Sequence, residues 1–230
     1  MRIFVIPDIH GRFDLLQGLW NILLNHHKLY LKKDKVIFLG DYVDRGLQSF
    51  EVLEFVCLLN EKHPKNVIAL AGNHEYLMLD YYAGNDKWGL WKINGGAATI
   101  NSFTFKGFDK PPEYLINWLK KLPLQHKEKG FFFSHAPVPA EQYRRVMNLG
   151  QEFTREELIW TCPIGDEGEY ARVHDNGVIG VCGHIHALRH NIFEPRFYDH
   201  YIFADAGCGC HRKAPLCAIN VNTREVIYNV

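Results

Sequence analysis

Short runs of apolar residues, each followed by a segment with helical spacing, constrain the fold of this chain more than any other feature. Residues 3–6, 36–39 and 67–70 are almost continuously apolar, and each run stops at a polar loop. Between these runs, apolar residues recur every three or four positions in residues 13–24 and 50–59, which is typical of amphipathic helices. Strands without polar alternation are buried on both faces, so the pattern predicts βαβ units and a sheet covered on both sides.

Further strands are predicted in the second half of the chain. Residues 131–134 and 178–182 repeat the buried-strand pattern. Residues 201–204, 216–221 and 225–228 follow without helical segments between them, which favours a meander forming a second, partly antiparallel sheet. The predicted class is α/β. A length of 230 residues suits a single domain, which we expect to span the whole chain, residues 1–230.

The middle of the chain has a weaker pattern. Residues 88–91 and 112–122 are predicted to be helices of an insertion. Residues 142–169 are polar, which predicts a loop-rich segment with one short helix near residues 156–160.

Charge and hydropathy exclude several classes of partner. Lysine and arginine total 26, as do aspartate and glutamate, so the formal net charge is zero and nucleic acid is not an expected partner. No apolar run approaches the ~20 residues that span a bilayer, and the run after Arg2 is too short for a secretion leader. We therefore expect no membrane partner and a cytoplasmic protein. Its six cysteines are then expected to be free thiols.

Polar side chains follow five of the predicted strands at the point where each strand ends. Because ligands bind outside the carboxyl ends of strands in open α/β sheets, we expect these side chains to converge. Those that suit a metal ion are Asp8, His10, Asp41, Asn73, His135, His184 and His186. Oxygen and imidazole donors favour Mn, Fe or Zn. The set exceeds what one ion needs, so we infer two divalent ions, with the central Asp41 as the bridge. Such a pair suits phosphoryl chemistry.

Each motif alone has an ordinary structural interpretation. The Asp-x-His at residues 8–10 could form a turn that caps the following helix. The Gly-Asn-His at residues 72–74 is a common turn signal. The Ser-His at residues 134–135 suggests a serine hydrolase, but the chain has no Gly-x-Ser-x-Gly nucleophile elbow. The metal interpretation depends on all five strand ends together.

The combined motifs resemble the signature of the calcineurin-like metallophosphoesterases, most closely the phosphoprotein phosphatase branch with its small bacterial and bacteriophage members. The blocks that carry the resemblance are Asp8-Ile9-His10-Gly11, Gly40-Asp41-Tyr42-Val43-Asp44-Arg45-Gly46, Gly72-Asn73-His74-Glu75 and Gly183-His184-Ile185-His186, with the weaker segments Trp91-Lys92-Ile93-Asn94-Gly95-Gly96 and Leu158-Ile159-Trp160. The resemblance covers nearly the whole chain. It implies a mixed β-sheet sandwich flanked by helices, in four α/β/β/α layers.

The resemblance also implies a role for each matching residue. Metal ligands would be Asp8 and His10 on the first ion, Asp41 as the bridge, and Asn73, His135 and His184 on the second. His74 would protonate the leaving alkoxide, Asp44 would orient His74, and Arg45 would clamp the phosphate. His186 matches a histidine that the wider superfamily uses on the first ion, and we include it among the ligands.

The expected function is metal-dependent hydrolysis of phosphomonoesters, most closely that of a Ser/Thr protein phosphatase. A metal-bridging hydroxide would attack phosphorus in line, with two divalent ions, for which Mn²⁺ is favoured and Fe or Zn are possible. The substrate would be a phosphorylated protein or a small phosphoester. Two alternatives stay open: a diadenosine tetraphosphatase or other nucleotide phosphohydrolase, and a binding protein whose metal site is catalytically dead.

Two positions depart from the family pattern, and the first, Pro7 in place of a frequent glycine, should be tolerated because it ends a strand. Related phosphatases usually carry a second phosphate-binding arginine two residues after the tryptophan, where this chain has Cys162. A thiol is a weak donor without fixed charge, so we expect weak capture of small phosphomonoesters unless Arg155 or Arg172 replaces that arginine.

Overall fold

The first sheet combines strands from both ends of the chain. It consists of β1 (Ile3–Ile6), β2 (Lys35–Phe38), β3 (Val67–Ala69), β9 (Cys217–Asn220) and β10 (Glu225–Tyr228). The computed structural model, which describes residues 1–86, 89–162, 177–186 and 193–229, places them in the order β10–β9–β1–β2–β3. Strands β1, β2 and β3 are parallel, whereas β9 is antiparallel to both of its neighbours. The three parallel strands therefore end at the same edge.

The second sheet is built from the later part of the chain. Its strands are β4 (Gln125–Glu128), β5 (Phe131–Ser134), β6 (Ile179–Cys182), β7 (Arg196–Phe197) and β8 (Tyr201–Phe203). They lie in the order β4–β5–β6–β8–β7. The central strands β5, β6 and β8 are parallel, and β4 and β7 pair antiparallel at the two ends.

Seven α-helices occur in the described ranges. They are α1 (Phe13–Asn25), α2 (Ser49–Lys62), α3 (Asn73–Tyr82), α4 (Ala97–Phe105), α5 (Glu113–Leu119), α6 (Ala140–Leu149) and α7 (Arg155–Ile159). In α1 the buried residues Leu16, Leu19, Trp20 and Leu23 recur at helical spacing, so one face of the helix is apolar. Among the described helices, none is long and apolar enough to cross a membrane.

Alternating side chains of β1 face two different cores. Ile3 and Val5 belong to the apolar cluster between the sheets, together with Phe133 of β5 and Ile202 of β8. Phe4 and Ile6 point the other way and pack with helices α1 and α2. A third cluster, which includes Tyr143 of α6, covers the outer face of the second sheet. These four layers explain why the strands are apolar throughout, and they confirm the expected mixed sheet sandwich flanked by helices.

The predicted meander is wrong for its last two strands. Residues 217–220 and 225–228 form β9 and β10 in the first sheet, next to β1, instead of continuing the second sheet. The remaining strand, β8, does lie in the second sheet, but parallel to β6. An apolar run shows that a strand is buried, but it carries no information about which sheet provides its neighbour.

The segment predicted as loop-rich contains an additional helix. In helix α6 the apolar residues Tyr143, Val146 and Met147 recur at helical spacing, but most of the other side chains are polar, so the polar composition of the segment favoured a loop. Its ends still carry signals, because Pro139 precedes it and Gly150 follows it with φ of 64°. The short helix predicted near residues 156–160 is present as α7. Residues 87–88 and 163–176 lie outside the described residues, so the predictions for them stay untested.

Candidate metal centre and active site

The loops after β1 and β2 are joined by their backbones, which brings the first strand ends together. The N–H groups of Ile9 and His10 both donate to the carbonyl of Asp41, at 3.0 and 2.9 Å. The N–H of Gly46 donates to the carbonyl of His10 at 3.0 Å. These hydrogen bonds fix the side chains of His10 and Asp41 relative to each other.

Backbone strain is concentrated in these loops. Five non-glycine residues at the strand ends have positive φ angles: His10 (46°), Asp41 (54°), Asp44 (74°), Arg45 (67°) and His184 (62°). Such conformations cost about 1–3 kcal/mol each and persist only where the surroundings enforce them. Residues held this way point to a functional constraint on their side-chain directions.

Glu75 organises the loop that carries Asp41, a role that the sequence analysis did not assign. Its fully buried carboxylate accepts hydrogen bonds from the N–H groups of Asp41, Tyr42 and Gly72, each at 2.8 Å. Burial raises the pKa of Glu75 to about 7, with Asp41 adding to the effect and these N–H groups opposing it. The carboxylate joins the loop after β2 to the start of α3.

Two histidines at the centre have their tautomers fixed by backbone carbonyls. Nδ1 of His10 lies 2.8 Å from the carbonyl oxygen of Val43, and Nδ1 of His135 lies 2.9 Å from that of Leu39. A carbonyl only accepts, so Nδ1 carries the proton and Nε2 of each ring keeps its lone pair. Burial lowers the pKa of both rings, which keeps them neutral. This arrangement is typical of imidazoles that bind a metal through Nε2.

The atoms that meet at His135 are all hydrogen-bond acceptors. Nε2 of His135 lies 2.9 Å from Oδ1 of Asn73 and 3.4 Å from Oδ1 of Asp41. Three buried acceptors with no proton between them repel one another unless a cation lies among them. Their chemistry therefore fits a divalent ion.

Asp41 belongs to both groups of candidate ligand atoms that the described residues form. One group is His10, Asp41 and His74, and the other is Asp41, His135 and His184, with the ligand atoms of each within 4.8 Å of one another. Burial alone would raise the pKa of Asp41, but the surrounding histidines outweigh it and hold the pKa low. Asp41 is thus common to both groups. If His74 is not a ligand, the first group keeps His10 and Asp41, and Asp8, at 3.9 Å from Nε2 of His10, could supply its third ligand.

Asp8 and His186 lie at the margin of these groups. Asp8 is buried, accepts a hydrogen bond from the N–H of His184 at 3.0 Å, and lies 3.9 Å from Nε2 of His10. A Cβ atom at Gly183 would lie 2.2 Å from Oδ1 of Asp8, so any other residue there would displace the carboxylate. His186 is in neither group, and its Nδ1 is buried without a hydrogen-bond partner among the described residues.

His74 is held by Asp44 at one ring nitrogen and faces the centre with the other. Nδ1 of His74 lies 2.6 Å from Oδ2 of Asp44, and Nε2 lies 3.9 Å from Asp41. Burial acts to lower the pKa of His74, but Asp41 and Asp44 outweigh it and hold the pKa above its ordinary value. A protonated imidazole cannot bind a metal, so this environment favours proton transfer over ligation.

Two donors that the sequence analysis missed complete the surroundings of Asp44. The indole N–H of Trp91 donates to its carboxylate at 2.9 Å, and the hydroxyl of Thr99 donates at 2.7 Å. The ring of Trp91 lies directly against Gly96, where a Cβ atom would be 2.5 Å from the indole. The Trp91 to Gly96 segment carried the family resemblance, but no residue in it had an assigned role.

Arg45 reaches across the centre from an exposed position. Its Nη1 lies 2.6 Å from Nε2 of His10 and also donates to Sγ of Cys210, and its Nη2 lies 3.2 Å from Nε2 of His74. The lone pair of His10 that receives Arg45 is the same one that would bind an ion. Binding of a cation at His10 therefore requires the guanidinium to move away, which leaves it available for a phosphate.

Of the two arginines that could replace the missing phosphate-binding arginine, Arg155 is the one among the described residues. Cys162 is exposed. Arg155 pairs with Glu156 at 3.1 Å and lies over the ring of Tyr76, at 4.8 Å from its centroid, so it is engaged outside the centre. Arg172 lies outside the described residues.

Comparisons with known proteins agree with this geometry. The sequence profile of calcineurin-like phosphoesterases matches residues 1–188. Serine/threonine-protein phosphatase 2 of Escherichia coli is 29% identical over 166 residues, which cover 69% of this chain and 67% of that protein. The symmetrical bis(5'-nucleosyl)-tetraphosphatase of Actinobacillus pleuropneumoniae is 35% identical over 144 residues, covering 61% of this chain and 47% of that protein. The chain thus spans only about half the length of this tetraphosphatase.

Solved structures share the fold at low sequence identity. The crystal structure of a putative diadenosine tetraphosphatase superposes with a TM-score of 0.66 at 17% identity, covering 99% of this chain and 92% of that chain. A cold-active protein tyrosine phosphatase gives a TM-score of 0.66 at 18% identity, covering 99% and 78%. The family profile spans most of the sequence and includes all five strand ends that carry the candidate metal ligands. The chain therefore belongs to the calcineurin-like phosphoesterase family and is a phosphatase of that family.

Proposed function

We propose that this protein hydrolyses phosphomonoesters with two divalent metal ions, and that its substrates are phosphoserine and phosphothreonine in proteins. The observation that carries the proposal is the arrangement around Asp41. Acceptor atoms without protons surround its carboxylate, with Nε2 of His10 at 3.5 Å and Nε2 of His135 at 3.4 Å. Nε2 of the protonatable His74, which Asp44 holds through Nδ1, lies 3.9 Å from the same carboxylate. A metal centre next to a buried acid is what the hydrolysis of an alkyl phosphate requires.

The metal ligands divide into two sets that share Asp41. Asp8 and His10, with His186 at the margin, would hold the first ion, and Asn73, His135 and His184 would hold the second. We propose Mn²⁺, with Fe and Zn as alternatives, because the donors are oxygen and imidazole without thiolate. When bound, the two ions supply an activated water and positive charge for the phosphate oxygens.

The side chains around this centre bind the phosphate and move the proton. The guanidinium of Arg45 is planar and presents two N–H groups, which suits bidentate binding of phosphate oxygens. His74 points Nε2 into the site and donates its proton to the departing alkoxide. Asp44 holds His74 through Nδ1 and stabilises its charged form. Because Asp44 has no exposed surface, water does not weaken this pair.

A nucleotide substrate is the second candidate, and several relatives that are tetraphosphatases favour it. The tetraphosphatase relative has the higher identity, at 35%, although over a shorter match than the phosphatase relative at 29%. The longer match, and the coverage of two thirds of the phosphatase relative, support the protein substrate. A catalytically dead binding protein is disfavoured because Asp41, Asn73 and His74 are all present and buried.

A substrate panel tests the proposal. Purified protein with Mn²⁺ is incubated with a phosphoserine peptide, a phosphotyrosine peptide and diadenosine tetraphosphate, and released phosphate and nucleotides are measured. We expect the highest kcat/KM on the phosphoserine peptide, with the His74→Asn variant as the matched control for contaminating phosphatases. Faster turnover of the dinucleotide would replace the proposed substrate with the second candidate. No turnover of any of them would contradict a phosphatase function.

A further inference from the structure

Asp205 follows strand β8 at the same edge of the second sheet where the metal-ligand candidate His184 follows strand β6. Strand β8 pairs parallel with β6 so that Phe203 lies beside Cys182, and the N–H of Ala204 donates to the carbonyl of Cys182 at 2.7 Å. Asp205 lies two residues beyond the end of β8, as His184 lies two residues beyond the end of β6. Both residues therefore lie just beyond the ends of neighbouring parallel strands, at the same edge of the sheet.

One oxygen of Asp205 is buried without a partner. The residue has no exposed surface. Its Oδ1 accepts the N–H of Gly207 at 2.7 Å, whereas Oδ2 has no hydrogen-bond partner among the described residues. A buried carboxylate oxygen without a partner is costly, so its retention needs a compensating group.

The surroundings of Asp205 point to a cation as that group. The charges of Asp8 and Asp41 are close enough to repel that of Asp205, and the nearby Arg45 and Arg196 attract it. Nδ1 of His186 is also buried without a hydrogen-bond partner among the described residues. His186 lies close to the Asp205 turn, because a Cβ atom at Gly207, whose N–H binds Asp205, would be 3.6 Å from Cβ of His186. Three carboxylates therefore lie close to one another on the Asp8 side, and one of their oxygens, Oδ2 of Asp205, has no hydrogen-bond partner among the described residues.

We propose that Asp205 is an additional carboxylate of the metal centre, and that its free Oδ2 helps to bind the divalent cation on the Asp8 side. It adds one oxygen donor to the ligand set described above. The proposal rests on the metal-dependent function proposed for this chain. No sequence signal was assigned to Asp205, although it follows a strand end in the same way as the other ligands.

Titration of metal-free protein with Mn²⁺ tests the proposal. Wild-type protein, Asp205→Asn and Asp205→Ser are stripped with chelator, and Mn²⁺ affinity is measured by calorimetry alongside thermal unfolding with and without the ion. Both replacements can still accept the N–H of Gly207, so the turn is retained. Asp34→Asn is the control, because Asp34 is a buried carboxylate that pairs with Arg2 away from the centre.

We expect the Asp205 variants to bind Mn²⁺ about 10- to 100-fold more weakly than wild type, the usual cost of losing a supporting group at a metal site. Without metal these variants should unfold at the same temperature as wild type or higher, because each removes a negative charge that Asp8 and Asp41 repel. Asp34→Asn should unfold at a lower temperature with unchanged Mn²⁺ affinity.

Mn²⁺ affinity within twofold of wild type in both Asp205 variants would overturn the proposal. So would failure of both variants to fold without metal, because the carboxylate would then be structural. If wild-type protein itself binds no Mn²⁺, the proposed function fails first, and that outcome is distinct from a selective loss in the variants.

Discussion

Replacing Asp44 with asparagine removes the charge that holds His74 protonated while keeping the size of the side chain. In the structure, Asp44 accepts hydrogen bonds from His74, Trp91 and Thr99, and it has no exposed surface. An asparagine offers one acceptor oxygen for these donors. We therefore expect Asp44→Asn to weaken the His74 contact, which spans 2.6 Å in the native protein.

The size of the effect follows from that contact. A buried hydrogen bond to a charged group contributes about 1.5–3 kcal/mol. If this stabilisation is needed when the proton is transferred, kcat on phosphoserine should fall by roughly 10- to 150-fold. The loss on p-nitrophenyl phosphate should be much smaller, because its leaving group needs little protonation.

The pH dependence gives a second, independent signature. Burial acts to lower the pKa of His74, and the charges of Asp41 and Asp44 hold it above the ordinary value. The acid must be protonated to act, so activity on phosphoserine falls as the pH rises through this pKa. In Asp44→Asn burial is less opposed, and the falling limb of the kcat profile should move to lower pH.

Steady-state kinetics on both substrates, with metal content measured for each variant, checks this prediction. Asp14→Asn is a matched control, because Asp14 pairs with Arg12 on the exposed start of α1. It should leave kcat and the profile unchanged. Equal losses on the two substrates, or an unmoved limb in Asp44→Asn, would refute the assigned role of Asp44.

Five other substitutions have defined expectations. His74→Asn should lower kcat on phosphoserine by about 10²–10⁴ and leave metal content near wild type, and loss of bound metal would identify His74 as a ligand instead. Glu75→Gln leaves a buried backbone N–H without a good acceptor, so thermal unfolding should show a loss of about 1–3 kcal/mol, and unchanged stability would contradict its organising role. Cys162→Arg should lower KM for p-nitrophenyl phosphate several-fold. A tenfold rise of KM in Arg155→Ala or Arg172→Ala would identify that residue as the replacement, and no change in any of the three would end the argument for a missing arginine.

The strand-end rule predicted most of the candidate centre because it depends only on local sequence. Each apolar run marks a buried strand, and the polar residues after it, such as Asp8 and Asn73, must lie at the edge where parallel strands end. The same rule applied to residues 201–204 would have led to Asp205. Interpreting residues 201–204 as part of a meander, however, gives no reason to expect a metal ligand after that strand.

Residues whose roles depend on distant partners could not be predicted in this way. Trp91 donates to a carboxylate 47 positions earlier in the chain, and nothing near it in sequence indicates that contact. The sheet that contains β9 was also unpredictable, since pairing with β1 joins residues more than 200 positions apart. Helix α6 was not predicted because the segment around it is polar, although Tyr143, Val146 and Met147 have helical spacing and Gly150 marks the end of the helix.

The most direct test of the central claim measures bound metal and phosphatase activity on the same sample. Protein stripped with chelator is titrated with Mn²⁺, and the number of ions per chain and the turnover of p-nitrophenyl phosphate are recorded at each step. A centre bridged by Asp41 predicts no turnover without metal and full recovery as two ions bind. Full turnover in rigorously metal-free protein, or recovery complete with a single bound ion, would contradict the two-ion account.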